Sequence, residues 1–544
     1  MLVSCLPGKT VRRAIPAACA FAAACLAGAC SQAPQPTPRP VAQASAPVPS
    51  AHAEAGVAWE TGDIDAAFAK AKAQGKPVFL YWGAKWCPPC NQVKATIFAR
   101  EDFVERSRYF VPVYVDGDRP SGQRLGHRFN VSAYPTMILL RSDGSEVTRL
   151  PGEVDAAQYV SVLTLGLNNA RPVRETLAAA LGGGRDGAAL NQDDWRMLAY
   201  YSWETDQNQI VRKDRLPSTL ARVAAACPAS LPDVATRLRL IALASAAGAK
   251  DAKPHDDAEL RGVLLDVAVD PALARANFDV LVNHGADMVK FVAPRDRVSP
   301  ATMAPVTQAL ERLADDATLA MPDRLAALDA EIDLAHIDAQ KGPLSATLLA
   351  RVRAAADEAD RTARGPYERQ AAISAAADVL ASAGLLDESD AMLRAELSRS
   401  QAPYYYMLGL AQNAKARGDK NGSLDWSQKA YQAADGPATR LQWGTHYVNA
   451  LIKLAPDDAP RIEAAALQVI GELDPSPDTF YERNRRTLDR MGIALREWNR
   501  GRAHAHELAH IAKRLDAICA QLPMSDASHA ACTGVLRAPP TQSG

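Results

Sequence analysis

The feature that most constrains this chain is the run Trp86-Cys87-Pro88-Pro89-Cys90, which follows almost directly on the apolar segment Pro77-Val78-Phe79-Leu80-Tyr81-Trp82. Upstream, Ile64, Ala67, Phe68 and Ala71 repeat at helical spacing and Gly75 ends that helix. The order is therefore helix, buried strand, cysteine pair, then a second helix continuing through Val93 and Ile97. At a helix N-terminus the unpaired amides and the positive end of the dipole favour a thiolate, the attacking species in disulfide exchange. Cys87 is the expected nucleophile, and Cys90, one turn on, the resolving thiol that attacks a mixed disulfide and releases the partner. Neither Pro88 nor Pro89 has an N–H, which leaves the Cys90 amide as the first backbone donor and predicts a weaker depression of the Cys87 pKa than a Gly- or His-containing spacer gives. Lys85 either adds positive charge there or is simply solvated. A lone C-x-x-C can be half of a zinc site, but no second pair and no suitably spaced His lies in this segment, so neither a metal nor another cofactor is expected.

Downstream, Phe110-Val111-Pro112-Val113-Tyr114-Val115-Asp116 reads as a strand, and Met137 to Leu140, Asp143-Gly144 and Glu146 to Thr148 read as a hairpin. Between them lies Val131-Ser132-Ala133-Tyr134-Pro135-Thr136. Strand, Trp-Cys-x-x-Cys, helix, strand, Val-x-x-Tyr-Pro-Thr and an Asp-Gly hairpin, over residues 57–169, together resemble the thioredoxin-fold family, and among its members the exported domains such as the C-terminal domain of DsbD-type disulfide reductases. The resemblance implies that Pro135 is a cis-proline facing the disulfide, and that Trp86, Tyr134, Pro135 and Thr136 form the substrate-binding surface. It also implies protein thiol and disulfide clients and a membrane electron donor. One departure stands out: the family commonly has a buried Asp six residues before the first Cys, and here that place is held by Tyr81, with Glu60, Asp116 and Asp118 as weak substitutes. Asn91 likewise replaces the Lys often found after the second Cys.

The first residues read as an address. Lys9, Arg12 and Arg13 precede an apolar stretch, Ala14 to Ala29, too short to span a membrane comfortably, which predicts a signal peptide over 1–29 and an exported, periplasmic protein. Leu26-Ala27-Gly28-Ala29-Cys30 resembles a lipobox, making Cys30 a candidate lipid-attachment site and membrane anchor, although Ala27-Gly28-Ala29 also suits ordinary cleavage. Residues 30–56 hold six of the chain's prolines among Ala, Gln and Ser and read as a tether able to reach roughly 60 Å. A net charge of -1 gives no general electrostatic reason to expect nucleic acid as a partner.

A chain of 544 residues exceeds one ordinary core, and Leu181 to Gly187 forms a glycine-rich break. Beyond it, residues 188–538 carry helical periodicity throughout. Gly384 and Gly418 lie 34 residues apart, the tetratricopeptide (TPR) period, with Trp426, Ala430 and Tyr431 placed as in the second helix of such a repeat. The fold class expected is thus an α/β thioredoxin-like domain followed by a large all-α TPR-like solenoid, whose concave face would bind proteins. His506-Glu507-Leu508-Ala509-His510 matches H-E-x-x-H, but the chain after His510 has no Glu, and Lys513 and Asp516 break the longer metal motif, so a solvated helix face is expected. Cys519 and Cys532 are expected to form a structural disulfide; alternatively Cys227 partners one of them.

These features point to an extracytoplasmic thiol–disulfide oxidoreductase, a reductase by resemblance. The alternative is a non-enzymatic TPR-like adaptor with a thioredoxin-like docking module.

Overall fold

The computed structural model describes residues 56–537 except 132, 151, 153–154, 169–170, 183–189, 207, 294–297 and 339–342. The expected signal peptide, most of the tether, Cys30 and most of the glycine-rich break lie outside the described residues.

Helix α1 (Ile64–Gln74) begins where the Asp63 carboxylate accepts from the amides of Asp65 and Ala66, at 2.9 and 3.3 Å, and ends at Gly75, whose φ of 64° a side chain would resist. Around it a five-stranded sheet is built from β1 (Glu60–Thr61), β2 (Val78–Gly83), β3 (Val111–Asp116), β4 (Thr136–Leu140) and β5 (Glu146–Leu150), in the order β1-β3-β2-β4-β5. β1, β3 and β2 run parallel, whereas β4 is antiparallel to both β2 and β5. All six residues of β2 are buried because both faces of the central strand are covered. Leu80, Trp82 and Val113 face α1, and Phe79, Tyr81 and Met137 face the opposite layer with Phe98, Phe103 and Tyr159.

Helix α2 (Pro88–Val93) follows β2 and opens into a wider, π-type turn over Lys94–Phe98. It is followed by α3 (Glu101–Arg106), α4 (Pro120–Arg128) and, after the hairpin, α5 (Ala156–Asn168). Beyond α5 the described residues are predominantly helical. The helices Gly365–Ser382 and Leu386–Glu396 form one hairpin, Pro403–Ala416 and Lys420–Ala433 the next, with Gly384 at φ 79° and Gly418 at φ 82° in the two turns. This establishes an α/β thioredoxin-like sheet domain followed by a predominantly helical region. Among the described residues no helix is long and apolar enough to cross a membrane.

The two regions share one core. Leu80, Trp82, Cys87 and Val113 belong to the same apolar cluster as Tyr404, Trp443 and Leu488. The far end of the chain also returns to α4: Arg124 pairs with Asp478 and Asp526 at 3.0 and 2.9 Å, and His127 reaches Glu482 at 2.9 Å.

Candidate redox site

The turn from β2 into α2 places the two cysteines. Cys87 has extended backbone (φ -79°, ψ 110°) and caps α2, with its carbonyl accepting from the Asn91 amide at 3.0 Å. With Pro88 and Pro89 in the first turn, the nearest free amide is that of Cys90, and it donates to the Cys87 Sγ at 3.2 Å. The side chains are joined as a disulfide, with Cα atoms 5.2 Å apart. The same amide that stabilises the sulfur here would stabilise a thiolate after reduction.

Tyr81 fills the place beneath the pair. Its ring packs on Phe98 at 4.9 Å and its hydroxyl donates to the Cys90 carbonyl at 3.4 Å, so a phenol turned to the backbone stands there in place of a carboxylate. Of the three carboxylates weighed as substitutes, Glu60 pairs with Lys70 at the sheet edge, and Asp116 accepts from the Asp118 amide at 3.0 Å. Asp118 is the distinctive one: the Trp86 indole N–H points at both its oxygens, at 3.2 and 3.1 Å. Burial, with the neighbouring Asp116 charge, pushes Asp118 up to about 6, against the opposing pull of Thr439, Trp86 and Arg483. The Asp-Gly-Asp turn after β3 was the only local signal for it.

The Tyr134–Pro135 bond is cis. Tyr134 is held by its hydroxyl, which donates to the Gly117 carbonyl at 3.0 Å and lies 3.0 Å from the Gln123 amide nitrogen. Burial pushes that hydroxyl's pKa up. Thr136 opens β4 opposite Trp82, its hydroxyl donating to the Ala133 carbonyl at 2.8 Å. Trp86 and Tyr134 lie under one cation, the Arg483 guanidinium, 4.7 Å from the first ring and 5.0 Å from the second. Trp86, Cys87, Cys90 and Tyr134 thus converge on one place.

Of the other residues singled out in the sequence, Lys85 and Asn91 flank this place and the rest lie elsewhere. Lys85 pairs with Asp435 at 2.5 Å, and that contact holds the Asp435 carboxyl below its usual range. Asn91 donates to the Lys85 carbonyl at 3.0 Å. Cys519 and Cys532 are bonded to each other, and Cys227 is a free, partly buried thiol whose pKa burial raises. His510 is engaged by Glu463 at 2.8 Å, His504 stacks on Trp498 at 3.8 Å, and no group of three metal-capable side chains occurs among the described residues.

What sequence reasoning missed is the helical wall around the pair. Trp443 meets the Trp86 ring edge-on at 5.1 Å and Tyr405 stacks on it at 6.4 Å. Gln92, on α2, donates to the buried Asp323 at 2.5 Å. Nothing local to those residues announces a role at a site more than 200 positions away.

The stretch of chain that carries this site is similar to known proteins. Residues 64–166 match the family model for the thioredoxin-like domain. The thiol:disulfide interchange protein DsbD 2 of Pseudomonas aeruginosa is 30% identical over 119 residues, covering 21% of this chain and 20% of that protein. This chain therefore spans about a fifth of the length of that relative. The H-type thioredoxin of Oryza sativa subsp. indica is 32% identical over 90 residues, which are 16% of this chain and 69% of the rice protein. A solved structure of a DsbH oxidoreductase is 21% identical with a TM-score of 0.19, covering 23% of this chain and 95% of that one.

Proposed function

Because the chain belongs to the thioredoxin-like family through residues 64–166, we propose that it is an extracytoplasmic protein-disulfide reductase working through Cys87 and Cys90. The observation that carries this reading is the capping geometry, in which the Cys90 amide donates to the Cys87 Sγ at the start of α2.

In the reduced state the Cys87 thiolate attacks one sulfur of a client disulfide. A Cys87–client bond forms, the client S–S bond breaks, and the departing client thiolate takes a proton. Cys90, on losing its proton, attacks the Cys87 sulfur, closes the intramolecular disulfide and expels the second client thiolate. The client gains two electrons, and the pair is recharged by a dithiol donor at the membrane. Trp86, Tyr134, Pro135 and Thr136 hold the client. Asp118, the buried carboxylate that pins Trp86, sets the orientation of that ring.

The leader over 1–29 exports the protein, Cys30 anchors it through a lipid, and the TPR-like helices over 188–538 select its partners. Cys519–Cys532 is a structural staple. The resemblance to DsbD-type proteins and the lipobox-like run support these assignments.

Replacing Cys90 with Ser tests the reading, because the mixed disulfide then has no resolving thiol. Covalent Cys87–client species should accumulate, and dithiol-dependent reduction of a protein disulfide should fall at least ~1,000-fold. Neither trapped species nor any such reduction by the unaltered chain would defeat it. The alternative, a non-enzymatic adaptor, draws on the burial of Cys87, which is 2% exposed. It predicts that the Cys87→Ser/Cys90→Ser double variant retains the cellular role.

A further inference from the structure

Disulfide exchange needs a third sulfur to approach the one under attack along the line of the existing S–S bond. In this structure there is no room for it. Cys87 is 2% exposed, Cys90 is fully buried and Trp86 is 2% exposed. What closes the site is helical: Trp443 and Tyr405 against the Trp86 ring, and Arg483 across both Trp86 and Tyr134. Trp443 is itself fixed, its indole N–H donating to the Tyr404 carbonyl at 3.0 Å. A cleft does reach α2, but it ends on Pro88, Pro89 and Gln92, between Phe278, Asp323 and Asp378, and not on a sulfur.

The rim of this closure differs from its centre. Around it run polar contacts: Lys85 with Asp435, Arg124 with Asp478 and Asp526, and the Asn484 amide donating to Gln123 at 3.1 Å. The Lys85 and Arg124 side chains are 46% and 50% exposed, and exposed ion pairs contribute only about 0–1 kcal/mol each. The centre is aromatic rings and one guanidinium within the shared apolar cluster, and neither disulfide among the described residues crosses it. Such a contact can part locally while the sheet and the helices away from it stay folded.

We propose that the helical region is a movable cover over the redox pair, and that Trp443, Tyr405 and Arg483 decide which protein disulfides reach Cys87. The inference rests on the exchange reading for its consequence, though the cover itself is tested by access alone. A client must lift the cover before Cys87 can attack, so partners that engage the helices gain access and bystander disulfides do not. In the resting state the pair is also shielded from adventitious thiols.

The test is the rate at which iodoacetamide labels Cys87 in the reduced full-length chain, followed peptide by peptide, with Cys227 as internal reference. In the unaltered protein Cys87 should label at least ~30-fold more slowly than in Trp443→Ala/Arg483→Ala, as expected when reaction waits on local opening. Tyr405→Ala, a milder change, should give an intermediate rate. In both variants the Cys227 rate should stay put, which separates lifting of the cover from loss of fold. Equal Cys87 rates in the unaltered chain and Tyr405→Ala, with Cys227 unchanged, would overturn the proposal. Gated labelling in a chain that reduces no protein disulfide even when opened would uphold the cover and refute the reductase reading.

Discussion

The described residues hold two disulfides in opposite electrostatic settings. Cys87 stands at the N-terminus of α2, where the Cys90 amide points at its sulfur. Cys519 is the last residue of the helix Ala505–Cys519, and Cys532 lies in the last turn of Ala527–Gly534. A helix N-terminus stabilises a thiolate and a C-terminus disfavours it, so reduction is easier at the first pair than at the second. Both are buried among apolar side chains, so burial alone does not distinguish a working disulfide from a structural one.

Graded reduction is the most forceful way to break this comparison. With the cover opened by Trp443→Ala/Arg483→Ala, Cys87–Cys90 should open at a dithiol:disulfide ratio at least ~100-fold lower than Cys519–Cys532 needs, read by alkylation and mass. The reverse order would remove the distinction.

Next in size is a pH effect confined to the surroundings of the first pair. Burial holds the Asp323 and Asp378 carboxyls up to about 7 each, Asp378 helped by the charge of Asp329. A folded pKa raised above the unfolded 3.8 means that their contribution is fully present below that value and is lost as pH rises through about 7. For Asp323, 8% exposed, this amounts to as much as about 4 kcal/mol. Asp323→Asn should therefore flatten the fall in thermal midpoint between pH 4 and 8, and an unchanged slope would count against it. Cys519→Ala/Cys532→Ala should cost about 3 kcal/mol in denaturant midpoints while leaving exchange by Cys87 at full rate. Smallest of all, Lys85→Ala removes a half-exposed pair with Asp435 and should change stability by under ~1 kcal/mol.

How much of this the sequence disclosed follows from the range of the forces involved. The strand–pair–helix unit around Cys87 was readable because capping, missing proline N–H groups and helix periodicity act within a few residues. The hairpin of β4 and β5 was readable from Asp143-Gly144 for the same reason. The Gly384 and Gly418 turns were visible as punctuation, yet which face the helices present was not. Trp443, Tyr405, Arg483 and Asp323 reach the site only through tertiary packing, and an aromatic or an Arg in a helical pattern carries no mark of its destination. Asp118 lies between these cases: its residue type was visible, but two of the partners that face it, Thr439 and Arg483, come from the far end of the chain.

The contacts that close over the pair join residues separated by 350 positions for Lys85 and Asp435, and 361 for Gln123 and Asn484. A chain made from its N-terminus folds its first domain early, whereas contacts of such long range form late. Under the cover proposed above, any state in which the sheet has formed and the far helices have not yet docked leaves Cys87 bare. Selectivity toward partners is then a property of the docked chain and not of the sheet domain by itself.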